Sequence, residues 1–343
     1  MALYNSPTSN FEVVDRTNEI LVLPQNWTLM NDSGMWNEEF LATRTVTFEE
    51  RGGHLFIVKD QVPGAAPQTT GNDLRKLHSY PMSHHPFMDA LLPQDIATVL
   101  RPGALAPELD SKDRALMVKM ERIRKSYDRT INFARFRTVA DGSIWAPNGT
   151  IAGNFYTDFG ITRKNVNFDL ATATTDIIAK CEEVISNFQS QATEGQEIQR
   201  VVAYCSGGFF SALIAHPKVA AAYNLYAVAA PQQISRDRAG GMGLYRRFTF
   251  SNIEWIEVTQ SIDGTPLVDT DKCVFIADDG DGAFMTYYGS PNRFGYVNTV
   301  AERTYLWTFE DPRGTQVTLE AEMNMINVMR RPSFVSGGSK AAI

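Results

Sequence analysis

The chain has 343 residues, 43% of them hydrophobic and 21% charged, and a formal net charge of −7 at pH 7. This composition belongs to a folded protein of about two domains and excludes a largely disordered, collagen-like or disulfide-scaffold chain. The acidic balance excludes a globally basic polyanion binder, and the lack of any run of about 18 apolar residues predicts no membrane span and no membrane partner. Three widely spaced cysteines (Cys181, Cys205 and Cys273), with no CxxC, predict reduced, buried thiols. Residues 1–10 carry no basic stretch followed by an apolar core, so no secretory signal is read.

Residues 1–44 alternate short apolar clusters (Ile20 to Leu23, Trp27, Trp36, Phe40) with polar spacers and show no sustained period. Such a segment cannot bury its own aromatics. It is expected to act as a lid on another part of the chain or as an arm on a neighbouring copy. A hairpin follows: Thr43 to Glu49 alternates as a strand, Arg51-Gly52-Gly53 is a turn, and His54 to Lys59 is a second strand. Val62 to Asn72 reads as a long exposed loop, and Lys76 to Met82 as a returning strand. An extended excursion with so little core of its own points to contact with a partner.

The strongest helical pattern runs from Asp110 to Thr138. Leu116, Met120, Ile123, Tyr127 and Ile131 form one apolar stripe. Between Lys119 and Arg137 stand seven basic residues against two acids, so the other faces read as basic. That face is either simply solvated or makes loose, sequence-independent contact with a polyanion such as DNA. A strand at Thr150 to Tyr156 and a helix at Thr172 to Phe188 come next. Then follow a buried strand at Val201 to Tyr204 and a helix from Ser206 towards Ala222. Strands are expected at Phe248 to Glu257, Cys273 to Ala277, Thr304 to Phe309, Thr315 to Glu322 and Met325 to Met329, with Ser336 to Ser339 as a flexible tail. The order is mixed α+β, without the regular alternation of a doubly wound sheet.

The catalytic inventory is thin. Cys205-Ser206 sits at a strand-to-helix turn, where a serine or cysteine hydrolase would place its nucleophile. Tyr204, however, occupies the place of the first glycine of a nucleophile elbow, and Ser206 reads as a helix cap. Asp278 to Gly282 is similar to part of a calcium loop, but the twelfth position is Ser290 rather than Glu, so a solvated turn is expected. His84 and His85 are adjacent and point to opposite faces of a strand, a poor pair of metal ligands. No metal, no cofactor and no enzymatic activity are predicted. Arms and loops around a mixed core are the parts of an assembly protein.

Several stretches carry a resemblance across about Thr45 to Phe334. They are Val46 to Leu55 with Val62 to Pro67, then Phe155 to Thr162 with Val166-Asn167-Phe168 and Thr174 to Asp176. Nearer the end come Tyr296 to Thr299, Leu319 to Glu322 with Asn324, and Arg331-Pro332. In order and spacing the chain resembles the lambda-type tailed-phage major capsid proteins, which have the Hong Kong 97 capsid fold. The resemblance implies an N-terminal arm (1–44), an extended E-loop (45–85) and a peripheral domain (86–164) with a spine helix (110–138). It also implies an axial domain (165–305) and C-terminal strands returning to the peripheral domain (306–343).

The implied function is a structural one: the major capsid protein of the icosahedral head shell around double-stranded DNA, built in the host cytoplasm from pentamers and hexamers of itself. Candidate further partners are a decoration protein, a scaffold or protease and a portal. The resemblance makes the E-loop residues Phe48, Arg51, Gly52, Gly53, Leu55, Val62, Pro63 and Gly64 inter-subunit contacts, with Trp27, Trp36 and Phe40 on the arm. Lys119, Arg122, Lys125 and Arg129 are the candidate DNA-facing residues. An encapsulin-like nanocompartment shell is the alternative within the same fold.

Overall fold

The computed structural model describes residues 13–23, 28–51, 75–97, 112–145, 150–192, 197–222, 235–237, 245–262, 264–280 and 282–341. The first of two large sheets is built round the strand Val317–Met329. Ser83–Leu91 runs antiparallel to residues 317–325, while Tyr305–Glu310 and Phe284–Tyr288 pair with residues 317–322 and 325–329 in turn. Val13–Asp15 and Trp36–Phe40 close the two ends of the sheet.

Alternation decides how this sheet is covered. Leu319, Ala321, Met323 and Met325 share one face and pack with Leu116, Met120, Ile123, Tyr127 and Ile131 of the helix Lys112–Asp141. A period of two on the strand thus meets a stripe of threes and fours on the helix. The next strand positions, Ile326 and Val328, join the other core. Where two strands are expected, one continuous strand is found. Between the two expected strands, the polar Asn324 is buried, its amide donating to Ser290 O at 3.0 Å and to the Glu322 carboxylate at 2.7 Å. The helix outruns its expected end and stops where Gly142, at φ +72°, takes the left-handed position past its last turn.

The second sheet has seven strands, in the order Ser235–Asp237, Tyr245–Phe250, Ile253–Val258, Arg200–Ser206, Lys272–Asp278, Val335–Ser339 and Asn165–Asn167. The helix Ile177–Gln191 lays Ile177, Cys181, Val184 and Phe188 into the core it covers. It starts later than expected because Asp176 caps it, accepting from Ile178 N at 3.1 Å and Ala179 N at 3.2 Å. Phe168, Phe209, Trp255 and Phe275 form an aromatic centre, with Phe168 5.8 Å from Trp255 and 5.7 Å from Phe275.

One expectation is corrected here, and one expected boundary is crossed by the strand pairing. Ser336 to Ser339 is not a flexible tail but part of a buried strand lying between Lys272–Asp278 and Asn165–Asn167. Its glycines are there for space: a Cβ on Gly338 would collide with the Cys273 thiol and come within 2.8 Å of the Phe275 ring. The expected boundary near residue 305 does not follow the sheets either. Phe284–Tyr288, assigned to the axial part, pairs in the first sheet, and Val335–Ser339, assigned to the peripheral part, pairs in the second. Strand pairing between distant segments leaves no mark on local sequence pattern, so the chain crosses between sheets unseen.

Candidate assembly surfaces

The expected extended loop has a structured root. Thr45–Arg51 and Arg75–Pro81 form a two-stranded ribbon separate from both large sheets, in the register Thr45 to Pro81 through Arg51 to Arg75. Among the described residues the first strand pairs with the returning strand; the second strand expected at His54 to Lys59 lies outside them. Phe48 and Arg51 lie in the ribbon opposite His78 and Arg75. Gly52, Gly53, Leu55, Val62, Pro63 and Gly64 lie outside the described residues. Val46 faces the core, whereas Thr47, Leu77 and Ser79 are exposed. The root is bolted to the segment after the long helix. Tyr80 donates to the Asp158 carboxylate at 2.6 Å, and the His78 ring stacks on Phe159 at 5.0 Å.

The expected arm docks on its own chain wherever it is described. Trp36 is buried 5.5 Å from the Phe284 ring, and Met30 N donates to the Asn132 side chain at 2.9 Å. Phe40 is partly exposed and stacks on Tyr288 at 5.3 Å. Trp27 lies outside the described residues. Of the described aromatics of this segment, Trp36 thus finds its burial within the subunit while Phe40 stays partly open, both on a strand that adds to the edge of the first sheet.

The long helix divides its basic residues between inside and outside. Arg122, Lys125 and Arg129, three and four residues apart, share an exposed face. Lys119 is set apart from them, its ammonium 3.1 Å from Asp89 and also bonded to Ala90 O. Arg124 and Arg135 are buried, which corrects the expectation of a wholly basic outer surface. Arg135 donates to Glu38 at 2.8 Å, Asn31 at 3.1 Å and Thr286 at 3.0 Å, under the Trp36 ring. Arg303 stands 3.5 Å from the buried Asp128 and 3.8 Å from Glu38. This ionic core is not evident from composition, although one signal points to it: four residues past Ile131 the apolar stripe arrives at Arg135.

The residues weighed for catalysis or metal binding have structural duties. Ser206 caps the helix Gly207–Ala215, and His216 is buried with Nε2 3.1 Å from Thr172 O. All three cysteines are buried free thiols, and burial pushes Cys181 up to about 12. His84 contacts the Asn324 amide oxygen at 2.7 Å. The acidic turn is less solvated than expected, since Asp279 is buried 3.5 Å from Arg331. Among the described residues no cluster of histidine, cysteine and carboxylate ligands could hold a metal, and no helix is long and apolar enough to cross a membrane.

Comparison with known proteins gives one consistent picture. A family model for phage major capsid protein E matches residues 13–336. The major capsid protein of Pseudomonas phage KPP10 is 33% identical, covering 97% of this chain and 98% of that one. The major capsid protein of Salmonella phage Felix O1 is 24% identical, covering 97% of each. Among solved structures, the mature capsid of bacteriophage PhiM1 aligns with a TM-score of 0.54 at 13% identity, covering 90% of this chain and 86% of that one. A candidate capsid protein of an E. coli CFT073 prophage aligns with a TM-score of 0.60 at 12% identity, covering 96% and 100%. At these identities the structural likenesses speak for the fold alone, and that fold is the α+β Hong Kong 97 type. Neither the hydrolase nor the nanocompartment alternative finds support among these relatives.

Proposed function

The chain belongs to the phage major capsid protein E family and is a structural subunit of a phage capsid shell; from that premise we propose how its surfaces divide the work of assembly. Copies of the chain join as hexamers and pentamers in the host cytoplasm and close into the icosahedral head. The role is structural rather than catalytic, and no cofactor takes part. The ribbon Thr45–Arg51 and Arg75–Pro81 carries the loop between its strands onto a neighbouring subunit. The exposed face of Arg122, Lys125 and Arg129 looks into the shell and meets duplex phosphates loosely, without base contacts.

One observation carries this reading. The ribbon pairs with neither large sheet, has exposed Leu77 on its surface, and is held to its own subunit at the root by Tyr80 and His78. A rigid root beneath an unshared strand pair is a lever that a neighbour can cover. Leu77→Asp tests it. The variant is expected to fold normally and to lose shell assembly in light scattering. Shells formed at the wild-type concentration would show that the ribbon touches no neighbour.

A further inference from the structure

Residues 291–301, between the strands Phe284–Tyr288 and Tyr305–Glu310, present Phe294 at 96%, Val297 at 61% and Val300 at 67% exposure. Isolated exposed apolar side chains are ordinary, but three within seven residues form a patch. Phe294 and Val297 stand three apart at a 3-10 turn, the spacing that stacks side chains on one side.

The frame beneath this patch is fixed. Asn292 N donates to Glu322 at 2.9 Å, and Ala301 N donates to Leu41 O at 3.1 Å. Tyr296 points inward and donates to Asp15 at 2.6 Å, with its ring 5.8 Å from Trp307. Arg293 lies 3.9 Å over the Trp307 ring and pairs with Glu320. The segment therefore holds its apolar side chains in place before any partner arrives, which lowers the ordering cost of a contact.

The charge pattern selects the partner. Arg293 is the one Lys, Arg, Asp or Glu between positions 290 and 301, and its charge is already met within the subunit. A contact between different surfaces can exploit opposite charges. Close to a symmetry axis a residue lies beside its own copy, so a charge there meets its like and is repelled. A neutral, rigid, apolar loop fits the second case. Resting on the shell-subunit reading above, we propose that residues 291–301 form a contact between copies of this chain about a symmetry axis, with Phe294, Val297 and Val300 packing on the same residues of the neighbouring copy.

Two variants test this alongside the wild-type chain. Phe294→Asp is expected to keep the wild-type melting temperature and to raise the concentration needed for shell formation by about tenfold or more, as loss of a central apolar anchor does. Val297→Cys, oxidised within assembled particles, is expected to give a dimer joined between the two 297 positions. Phe294→Asp shells at the wild-type threshold, or intact Val297→Cys shells without that dimer, would overturn the contact while leaving the shell reading in place. A wild-type chain that never assembles would overturn both.

Discussion

The guanidinium of Arg135, on the long helix, lies 2.8 Å from the carboxylate of Glu38, on the edge strand Trp36–Phe40. The arginine side chain is 1% exposed and its partner 26%, so the pair ties the N-terminal segment to the spine of the subunit from within. Arg135→Leu removes the guanidinium donor from Glu38 and Thr286 and leaves Glu38 only the longer contacts to Tyr288 and Arg303. It is expected to lower the stability of the unassembled chain by about 3 kcal/mol in urea unfolding. Adding Glu38→Gln should recover part of that loss. A loss below about 0.5 kcal/mol, the level of an exposed pair, would contradict the buried role.

Acid should weaken the subunit through His85. Its Nε2 sits 2.9 Å from Ser83 Oγ, and burial beside His84 pushes the imidazole down from 6.5 to about 4. The unfolded chain takes up a proton where the folded chain stays neutral. The stability contribution is therefore full above about pH 6.5 and is lost as pH falls towards 4. The expected loss approaches about 3 kcal/mol. His85→Gln should flatten that part of a pH–stability curve, and an unaltered slope would remove His85 as its cause.

The exposed basic face makes a prediction about salt. Arg122→Glu with Arg129→Glu should leave assembly intact and weaken duplex DNA retention. The slope of log affinity against log salt should become shallower by about one for each phosphate that the helix no longer neutralises. Lys119→Met should leave that slope unchanged, because Asp89 already holds the lysine. Equal effects from the two variants would mean that helix face and duplex do not meet in this way.

The buried C-terminal strand sets a further limit. Gly338→Ala forces a methyl against Cys273 and Phe275 and is expected to cost about 1–3 kcal/mol in urea unfolding. Ending the chain at residue 334 should give insoluble protein, since the sheet loses a strand paired on both edges. A soluble truncated chain with an unchanged melting profile would contradict this.

Local pattern carries much of the architecture. The stripe from Leu116 to Ile131 announces the long helix and its buried face, and Ile177, Cys181, Val184 and Phe188 announce the helix over the second sheet. What stays hidden is long-range. The partner of Thr45–Arg51 stands about thirty residues away in sequence, and alternation names a strand without naming its neighbour. Val335–Ser339 reads as a tail because glycine and serine are poor strand formers; close approach to Cys273 at Gly338 and to Asn165 at Gly337 is what requires the glycines. The inward turn of Arg124 and Arg135 depends on Asp128, Glu38 and Thr286 converging from other elements, which a count of charges along one helix does not reveal.

Electron microscopy of the purified, concentrated wild-type chain tests the central claim most directly. Closed shells of uniform diameter, with hexameric and pentameric clusters on their surface, are the predicted result. A chain that stays monomeric across concentration and salt, while folded by circular dichroism, would contradict it.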